Sequence, residues 1–239
     1  MNILLVGYGK MGKAIEQIAL ERGHTIAGKI DVSNRSELEA MSSNAVDVAI
    51  EFSAPESAYS NIQACLEKGW PVVSGTTGWL EHKTEIETLT DAKGGAFFYA
   101  SNYSIGVNLF FRLNRTLARL MNQQPYGVSM KEIHHIHKLD APSGTAITLA
   151  EGIAGENPEI TGWSLAPELK EGKVPILSER TGEVPGTHVV TYKSDVDTIE
   201  ISHEAHSRKG FALGAVVSAE WIVGRRGVFG MDDLLEHLN

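Results

Sequence analysis

Three histidines and a lysine crowd into His134–Lys138, inside the segment Glu132–Ala146, EIHHIHKLDAPSGTA. Imidazole ordinarily titrates near neutral pH, so it can give or take a proton. A neighbouring lysine supplies a fixed positive charge. Pro142-Ser143-Gly144-Thr145 follows at once. It reads as a turn into a helix capped by Ser143. The first N–H groups of that helix, at Gly144 and Thr145, and the Ser143 and Thr145 hydroxyls would then face an anion. Read as a strand, Val128–His137 alternates: Glu132, His134, Ile136 and Lys138 face one way, His135 and His137 the other. His134 can then serve as a general acid and Lys138 as a fixed charge on one ligand. The chemistry is protonation of a small anion carrying carboxylate. For any one histidine a solvent-facing position is the simpler account, but the cluster as a whole argues for a site. His135 and His137, spaced i, i+2, could also bind zinc with His203 or His206. No cysteine completes such a set and Lys138 repels a cation, so no metal is expected.

The second chemical feature is at the N-terminus. Met1–Gly7 is a short apolar run, expected as a buried strand, leading into Gly7-Tyr8-Gly9-Lys10-Met11-Gly12. Lys13–Arg22 has helical spacing and Gly23 stops it. Thr25–Ile30 is a second strand ending at Asp31, at the distance the dinucleotide fingerprint requires. Gly7 allows the tight turn, Gly9 lets the backbone approach a pyrophosphate, and Gly12 lets helix and strand pack closely. The helix start around Lys10 and Met11 receives the phosphates. Asp31 would accept hydrogen bonds from the adenosine ribose, which favours NADH over NADPH. Arg35 is the nearest cation that could serve a 2′-phosphate.

These sites need a scaffold, and alternation supplies it. Strands at Val46–Phe52, Pro71–Val73 and Ala96–Ala100 alternate with helices from Pro55 to about Lys68 and over about Glu81–Ala92. This order predicts an α/β, doubly wound Rossmann-type domain on a parallel sheet. Its ligands lie beyond the carboxyl ends of the strands. The loops there are Gly7–Gly12, Phe52-Ser53-Ala54-Pro55, Gly75-Thr76-Thr77-Gly78 and Ala100-Ser101-Asn102-Tyr103. In the third, glycine permits close approach and threonine offers hydroxyls. From Ile105 the pattern changes: a helix to Met121, the histidine-bearing strand, a helix from Ser143 to about Ala154 and a loop over Gly155–Pro175. Strands then follow at Ile176–Arg180, Thr187–Lys193 and Val196–Glu204, with a turn at Ser194-Asp195. Strands without intervening helices predict a second, α+β domain on an open, mostly antiparallel sheet. The run from Gly210 and the terminal helix Met231–Leu238 return to the first domain. The expected domains are 1–105 with 212–239, binding dinucleotide, and 106–211, binding substrate and forming the oligomer.

Composition sets bounds on function. The chain has 239 residues, 42% of them hydrophobic, which suffices for a full core. The net charge of −9 argues against nucleic acid or an anionic membrane as partner. Cys65 is the one cysteine, which fits a reducing compartment, and its helical setting makes it a packed core thiol. There is no leader-like N-terminus and no apolar run of membrane-spanning length. A cytoplasmic location is expected.

Glu132–Ala146 resembles the dihydrodipicolinate reductase family at every defined position of its signature, E-x-H-H-x-x-K-x-D-A-P-S-G-T-A. Gly75–Gly78, Asn102–Asn108 and the stretch from Ser207 through Ala215 are also similar to family segments. The resemblance implies an NAD(P)H-dependent reductase of the diaminopimelate–lysine pathway acting on a cyclic, unsaturated dicarboxylate. It implies His134 as proton donor and Lys138 as the residue that holds or polarises substrate. His135, Ser143, Gly144 and Thr145 would bind the carboxylates, and Gly75–Thr77 and Ala100–Tyr103 the nicotinamide end. It further implies a homotetramer built on the second domain's sheet, and domains that close over the ligands. The chain departs from the family pattern in its shorter glycine turn, in Lys10 where arginine is usual, in Ile136 at an often polar position, and in overall length. Another small-molecule dehydrogenase on the same two-domain plan, or a non-catalytic NAD(P)-sensing protein, would retain the first hundred residues without needing Glu132–Ala146.

Overall fold

The computed structural model describes residues 1–207 and 209–238. The chain forms two units, Met1–Ile105 with Lys209–Asn239, and Gly106–Arg208. The first return point lies three residues before the expected 212, because the returning helix starts at Lys209.

In the first unit, β1 (Asn2–Val6), β2 (Thr25–Ile30), β3 (Val48–Glu51), β4 (Val72–Ser74) and β5 (Ala96–Tyr99) alternate with helices. These are α1 (Lys10–Glu21), α2 (Arg35–Ala40), α3 (Pro55–Glu67) and α4 (Lys83–Lys93). Ile3–Val6 are all buried, because a parallel strand covered on both faces is apolar throughout. Pro55 opens α3, where its missing N–H costs no hydrogen bond. Helix α1 begins at Lys10, three residues earlier than its apolar periodicity suggests, with Gly9 as its cap. Helix α2 was not anticipated; its short run RSELEA buries only Leu38.

The second unit contains most of α5 (Ile105–Met121), then β6 (Gly127–His134), α6 (Gly144–Glu156), β7 (Trp163–Leu165), β8 (Val174–Arg180), β9 (Thr187–Lys193) and β10 (Thr198–Glu204). Its sheet order is β10-β9-β6-β8-β7. The β10/β9 and β9/β6 pairs are antiparallel, but β6/β8 and β8/β7 are parallel. The sheet is therefore mixed, not mostly antiparallel. Helix α6 follows β6 as a crossover, and a crossover returns the chain parallel. Strand β7 occupies what the sequence presents as loop; three residues are too few to show alternation. Strand β6 ends at His134, short of the expected His137. Beyond it Ile136 N–H donates to Gly182 O and Lys138 N–H to His135 O, so the chain turns. Phe110, Met130, Leu149, Ile176 and Val190 form the core under this sheet.

The chain then re-enters the first unit with α7 (Lys209–Ile222), β11 (Gly227–Phe229) and α8 (Met231–Leu238). Strand β11, also unanticipated, completes an all-parallel sheet of order β11-β5-β4-β3-β1-β2. With β1 flanked by β2 and β3, the winding reverses there, which opens a ligand crevice at the strands' carboxyl ends. Ala212, Ala215, Val216, Ala219 and Ile222 pack α7 into the core with Ile15 and Phe98. Among the described residues, no helix is long and apolar enough to cross a membrane.

The approach of α7 to the loop after β5 is set by Gly214, where a Cβ would fall 1.7 Å from Tyr103 O. Alanine at a helix interior ordinarily gains about 1 kcal/mol over glycine, whereas overpacking costs roughly 1–3 kcal/mol. With the clash against backbone, the cost prevails. Gly214→Ala should therefore lower the melting temperature by several degrees in calorimetry; an unchanged or higher value would show that the loop yields freely.

Candidate active site

In the first unit, a cavity of about 460 Å³ opens where β1, β2 and β3 end, lined by Gly7, Gly9, Asp31, Arg35, Phe52 and Ser53 among others. Gly7 has φ +91°, and a Cβ there would lie 2.0 Å from Phe52 O. A Cβ on Gly12 would strike Gly7 O at 2.3 Å, while Gly9 has nothing within 4 Å. The turn is thus locked on two sides and open at Gly9. Helix α1 has no side-chain cap, so its first N–H groups, at Lys10 and Met11, lack protein acceptors at the cap. Those N–H groups and the open backbone at Gly9 fit a pyrophosphate. Asp31 is exposed and accepts from Val32 N–H at 2.8 Å. Arg35 is tied back by Asn61 Oδ1 at 2.8 Å.

The loops named for the nicotinamide end differ in how freely they present groups. Glu51, at the end of β3, is fully buried and accepts from Ser74 Oγ at 2.7 Å, Thr76 Oγ1 at 2.9 Å and Ser53 N–H at 3.0 Å, with Ser53 Oγ also against it. Burial pushes its pKa up against those hydrogen bonds. The Thr76 hydroxyl is thereby committed inward, while Thr77 is exposed. Gly75 is required by Phe52, whose ring would meet a Cβ at 2.2 Å. Tyr103 is a core residue; its hydroxyl donates to Ser74 O at 2.7 Å and its ring packs on Phe52. Ala100 is buried and Ser101 exposed, and Asn102 Oδ1 accepts from Ser104 N–H. Of these residues, Thr77, Ser101 and Asn102 keep polar atoms near the surface, whereas the Ser53 N–H and hydroxyl are both turned to Glu51.

The second unit holds the histidine site. Glu132 is fully buried. One of its oxygens meets Arg180 at 2.9 Å and the other meets His134 Nδ1. Burial would raise the Glu132 pKa, but the contacts with His134 and Arg180 outweigh it and hold it at about 2. Arg180 also donates to Asp140 O at 2.6 Å and Lys138 O at 3.3 Å. The His134 and His188 rings meet edge to face at 5.1 Å. Burial first, then the neighbouring His134, lowers the His188 pKa to about 4. His188 Nε2 reaches Ser143 Oγ at 3.0 Å, and that hydroxyl also caps α6 by accepting from Ala146 N–H at 3.2 Å. The Ser143 hydroxyl is therefore an internal strut, in place of the expected open ligand. Gly144 is exposed and Thr145 half-buried, so the helix start they form stays accessible. Lys138 Nζ meets both Asp140 oxygens at 2.8 Å. It lies in the turn, so strand alternation does not link it to His134; Arg180 does.

His135 is half-buried and 6.1 Å from His137, ring to ring. Among the described residues, the group with metal-ligand spacing is instead Glu132, His134 and His188. Arg180, on the Glu132 carboxylate at 2.9 Å, puts a fixed positive charge beside that group. The sequence singled out His134, Lys138 and the helix start, but gave no role to Arg180, His188, Glu132 or Glu51. Glu132 stood within the signature. Nothing local marks Arg180 or His188, which arrive from other strands.

Comparison with known proteins agrees with this architecture. Residues 1–103 match the family model "Dihydrodipicolinate reductase, N-terminus" and residues 106–235 the model "Dihydrodipicolinate reductase, C-terminus". The 4-hydroxy-tetrahydrodipicolinate reductase of Christiangramia forsetii is 49% identical over 239 residues, covering 100% of this chain and 99% of that one. That of Neisseria meningitidis serogroup B is 34% identical, covering 92% and 83%. The structure of dipicolinate-bound dihydrodipicolinate reductase from Paenisporosarcina sp. TG-14 superposes with a TM-score of 0.81 at 22% identity, covering 98% and 99%, which establishes the shared fold.

The buried pair of titrating groups gives the second unit an acid-sensitive stability. Unfolded His188 takes a proton below 6.5, which the folded ring refuses until about 4. Stability therefore falls as pH drops across that window, by at most about 3 kcal/mol. Glu132 extends the loss between 4.5 and about 2, because only the unfolded carboxyl protonates there. His188→Gln should flatten the melting-temperature profile between pH 6.5 and 4.5. An unaltered slope would remove His188 as its cause.

Proposed function

The chain belongs to the dihydrodipicolinate reductase family, and from that membership we propose that it converts 4-hydroxy-tetrahydrodipicolinate to tetrahydrodipicolinate with NADH or NADPH: loss of water gives dihydrodipicolinate, which takes up a hydride and a proton as the cofactor is oxidised. The reaction lies in diaminopimelate–lysine biosynthesis, an amino-acid biosynthetic route. The observation that carries the reading is the Glu132–Ala146 segment. It sets a histidine on a buried carboxylate, a lysine and an open helix start within one turn of chain. The unit Met1–Ile105 with Lys209–Asn239 takes the cofactor and Gly106–Arg208 the substrate and the oligomer contacts.

Bound NAD(P)H supplies the hydride. The chain's own residues supply what that transfer needs at the substrate. Gly144 and Thr145 N–H groups, with the Thr145 hydroxyl, hold one carboxylate through the helix N-terminus. His135 and Lys138 hold the other, Lys138 exchanging Asp140 for the substrate. Ser143 acts behind them, fixing the helix start through Ala146 N–H and His188. As charge develops beside the reduced carbon, His134 gives up a proton to it. At the cofactor, Gly7, Gly9, Lys10, Met11 and Gly12 seat the pyrophosphate, and Asp31 the adenosine ribose. Phe52, Ser53, Gly75, Thr76, Thr77, Ala100, Ser101, Asn102 and Tyr103 form the nicotinamide end. There, Thr77, Ser101 and Asn102 offer polar atoms, while Glu51, with Ser53 and Thr76 bonded to it, and Tyr103 hold the loops. NADH is favoured, since the exposed Asp31 carboxylate opposes a 2′-phosphate and Arg35 is engaged by Asn61.

The assembly is a homotetramer in the cytoplasm. Supporting this, the face of the second sheet away from α5 and α6 carries Ile133, Leu177 and Val189 beside the Lys131–Glu179 ion pair, with Leu177 44% exposed. Cys65 is buried and unbridged, as suits a reducing compartment.

The test follows oxidation of NADH and of NADPH while dihydrodipicolinate synthase feeds fresh substrate. Turnover that depends on the synthase is expected, and its absence from a folded, NADH-binding protein would overturn the reading. In that assay His134→Ala should lower kcat by about 10²–10⁴, the range for a lost general acid, with cofactor affinity unchanged. Asp31→Ala should weaken NADH more than NADPH by titration; equal weakening would refute the ribose assignment.

A further inference from the structure

Resting on that reading, we propose that Glu132 and Arg180 are the positioning residues of the reaction, one buried unit that aims His134 with the first and sets the Lys138 turn with the second. Neither touches the substrate in this scheme. Each acts through a residue that does.

Glu132 lies one strand pitch before His134 on the same face of β6, so its carboxylate runs alongside the imidazole. It is fully buried, and the contacts that hold it near 2 keep it ionised throughout the range in which the protein works. An ionised carboxylate can only accept. His134 Nδ1, lying against it, must therefore carry a hydrogen. The nitrogen left to exchange a proton is Nε2. Nε2 lies beside Gly186, where a Cβ would stand 3.0 Å away and crowd that atom. Glycine at this position leaves room at the nitrogen that must meet a ligand. The proton given up is thus the Nε2 proton of the imidazolium, and the ring is left as the Nδ1–H tautomer, with Nδ1 still against the Glu132 carboxylate. His188, across the ring at 5.1 Å and held neutral by burial, packs against it without competing for the carboxylate.

Arg180 couples this to the lysine. The β6/β8 register sets Arg180 opposite His134. Its guanidinium meets the second Glu132 oxygen and the carbonyls of Lys138 and Asp140. Those carbonyls belong to the turn that carries Lys138, whose ammonium rests on Asp140. A lysine at 180 would keep the charge but lose the planar fork that spans three acceptors. Proton donor and carboxylate anchor are consequently fixed by one side-chain pair.

The proposal is tested on the full chain with two variants and one spectrum. Glu132→Gln should lower kcat by about 10²-fold, as for a misaligned reacting group, with KM for the dicarboxylate within about threefold. Arg180→Lys should do the opposite in part, raising that KM by about tenfold through the loosened Lys138 turn. NADH affinity should be unchanged in both, which also shows that the cofactor unit is folded. Variants that lose thermal stability but keep both kcat and KM within twofold would make the pair merely structural and overturn the proposal. The spectrum needs no substitution: long-range ¹H–¹⁵N correlations of ¹⁵N-histidine-labelled protein should give neutral His134 as the Nδ1–H tautomer. Finding the hydrogen on Nε2 would overturn the aiming role even if a variant fails to fold. If the unaltered protein shows no turnover, the reductase reading fails, and the tautomer still decides the geometry by itself.

Discussion

A carboxylate sealed inside a sheet constrains everything around it. Removing an ionised group from water costs several kcal/mol after relaxation, so Glu132, with no exposed surface, needs a cation and a hydrogen-bond donor close by. Its own strand supplies His134 two residues on. The cation comes from β8, which runs parallel to β6 with Arg180 opposite His134. Parallel pairing requires a crossover, and α6 is that crossover. Its first turn is the open helix start beside Ser143. The mixed sheet thus brings a cation and an imidazole to one buried carboxylate, with the helix start following on from the same strand.

The first unit meets the same problem with other means. Glu51 is equally buried, but hydroxyls and an N–H surround it in place of a cation. Burial keeps its pKa raised, whereas the cation and imidazole drive that of Glu132 down. The contrast fits their places. Glu51 gathers Ser53, Ser74 and Thr76 from the ends of β3 and β4 and the loops that follow, so a set of neutral donors ties those loops together. Glu132 presents a permanent anion to an imidazole, where charge is the point.

Much of this was legible in residue order. The β1 turn could be read because each glycine answers to a distinct steric demand: Gly7 to Phe52 O, Gly12 to Gly7 O, and Gly9 to open space. Helix α5 and strand β9 have the expected bounds, since amphipathic periodicity over that length has a single interpretation. The expectation failed where elements were short or where hydrogen bonds overrode alternation. Strands β7 and β11 have three residues each and no periodicity to read. Strand β6 stopped at His134 because Gly182 O captured the Ile136 N–H. Ser143 and Thr76 were expected to face ligands, but a hydroxyl's residue type does not say which way it bonds, and both bond inward.

The sequence by itself determined which chemical groups this protein has and which stretch of chain carries them. The Glu132–Ala146 motif, the glycine turn and Asp31 are local, and local order is sufficient to specify a helix start, a tight turn or a neighbouring pair of side chains. Tertiary structure decided what those groups are bonded to. Arg180 reaches Glu132 and His188 reaches His134 from strands forty or more positions away, and the register of a mixed sheet brings them there. The setting of an imidazole, and the orientation of a lysine's backbone, depend on such distant partners, and residue order alone does not encode a distance across a sheet.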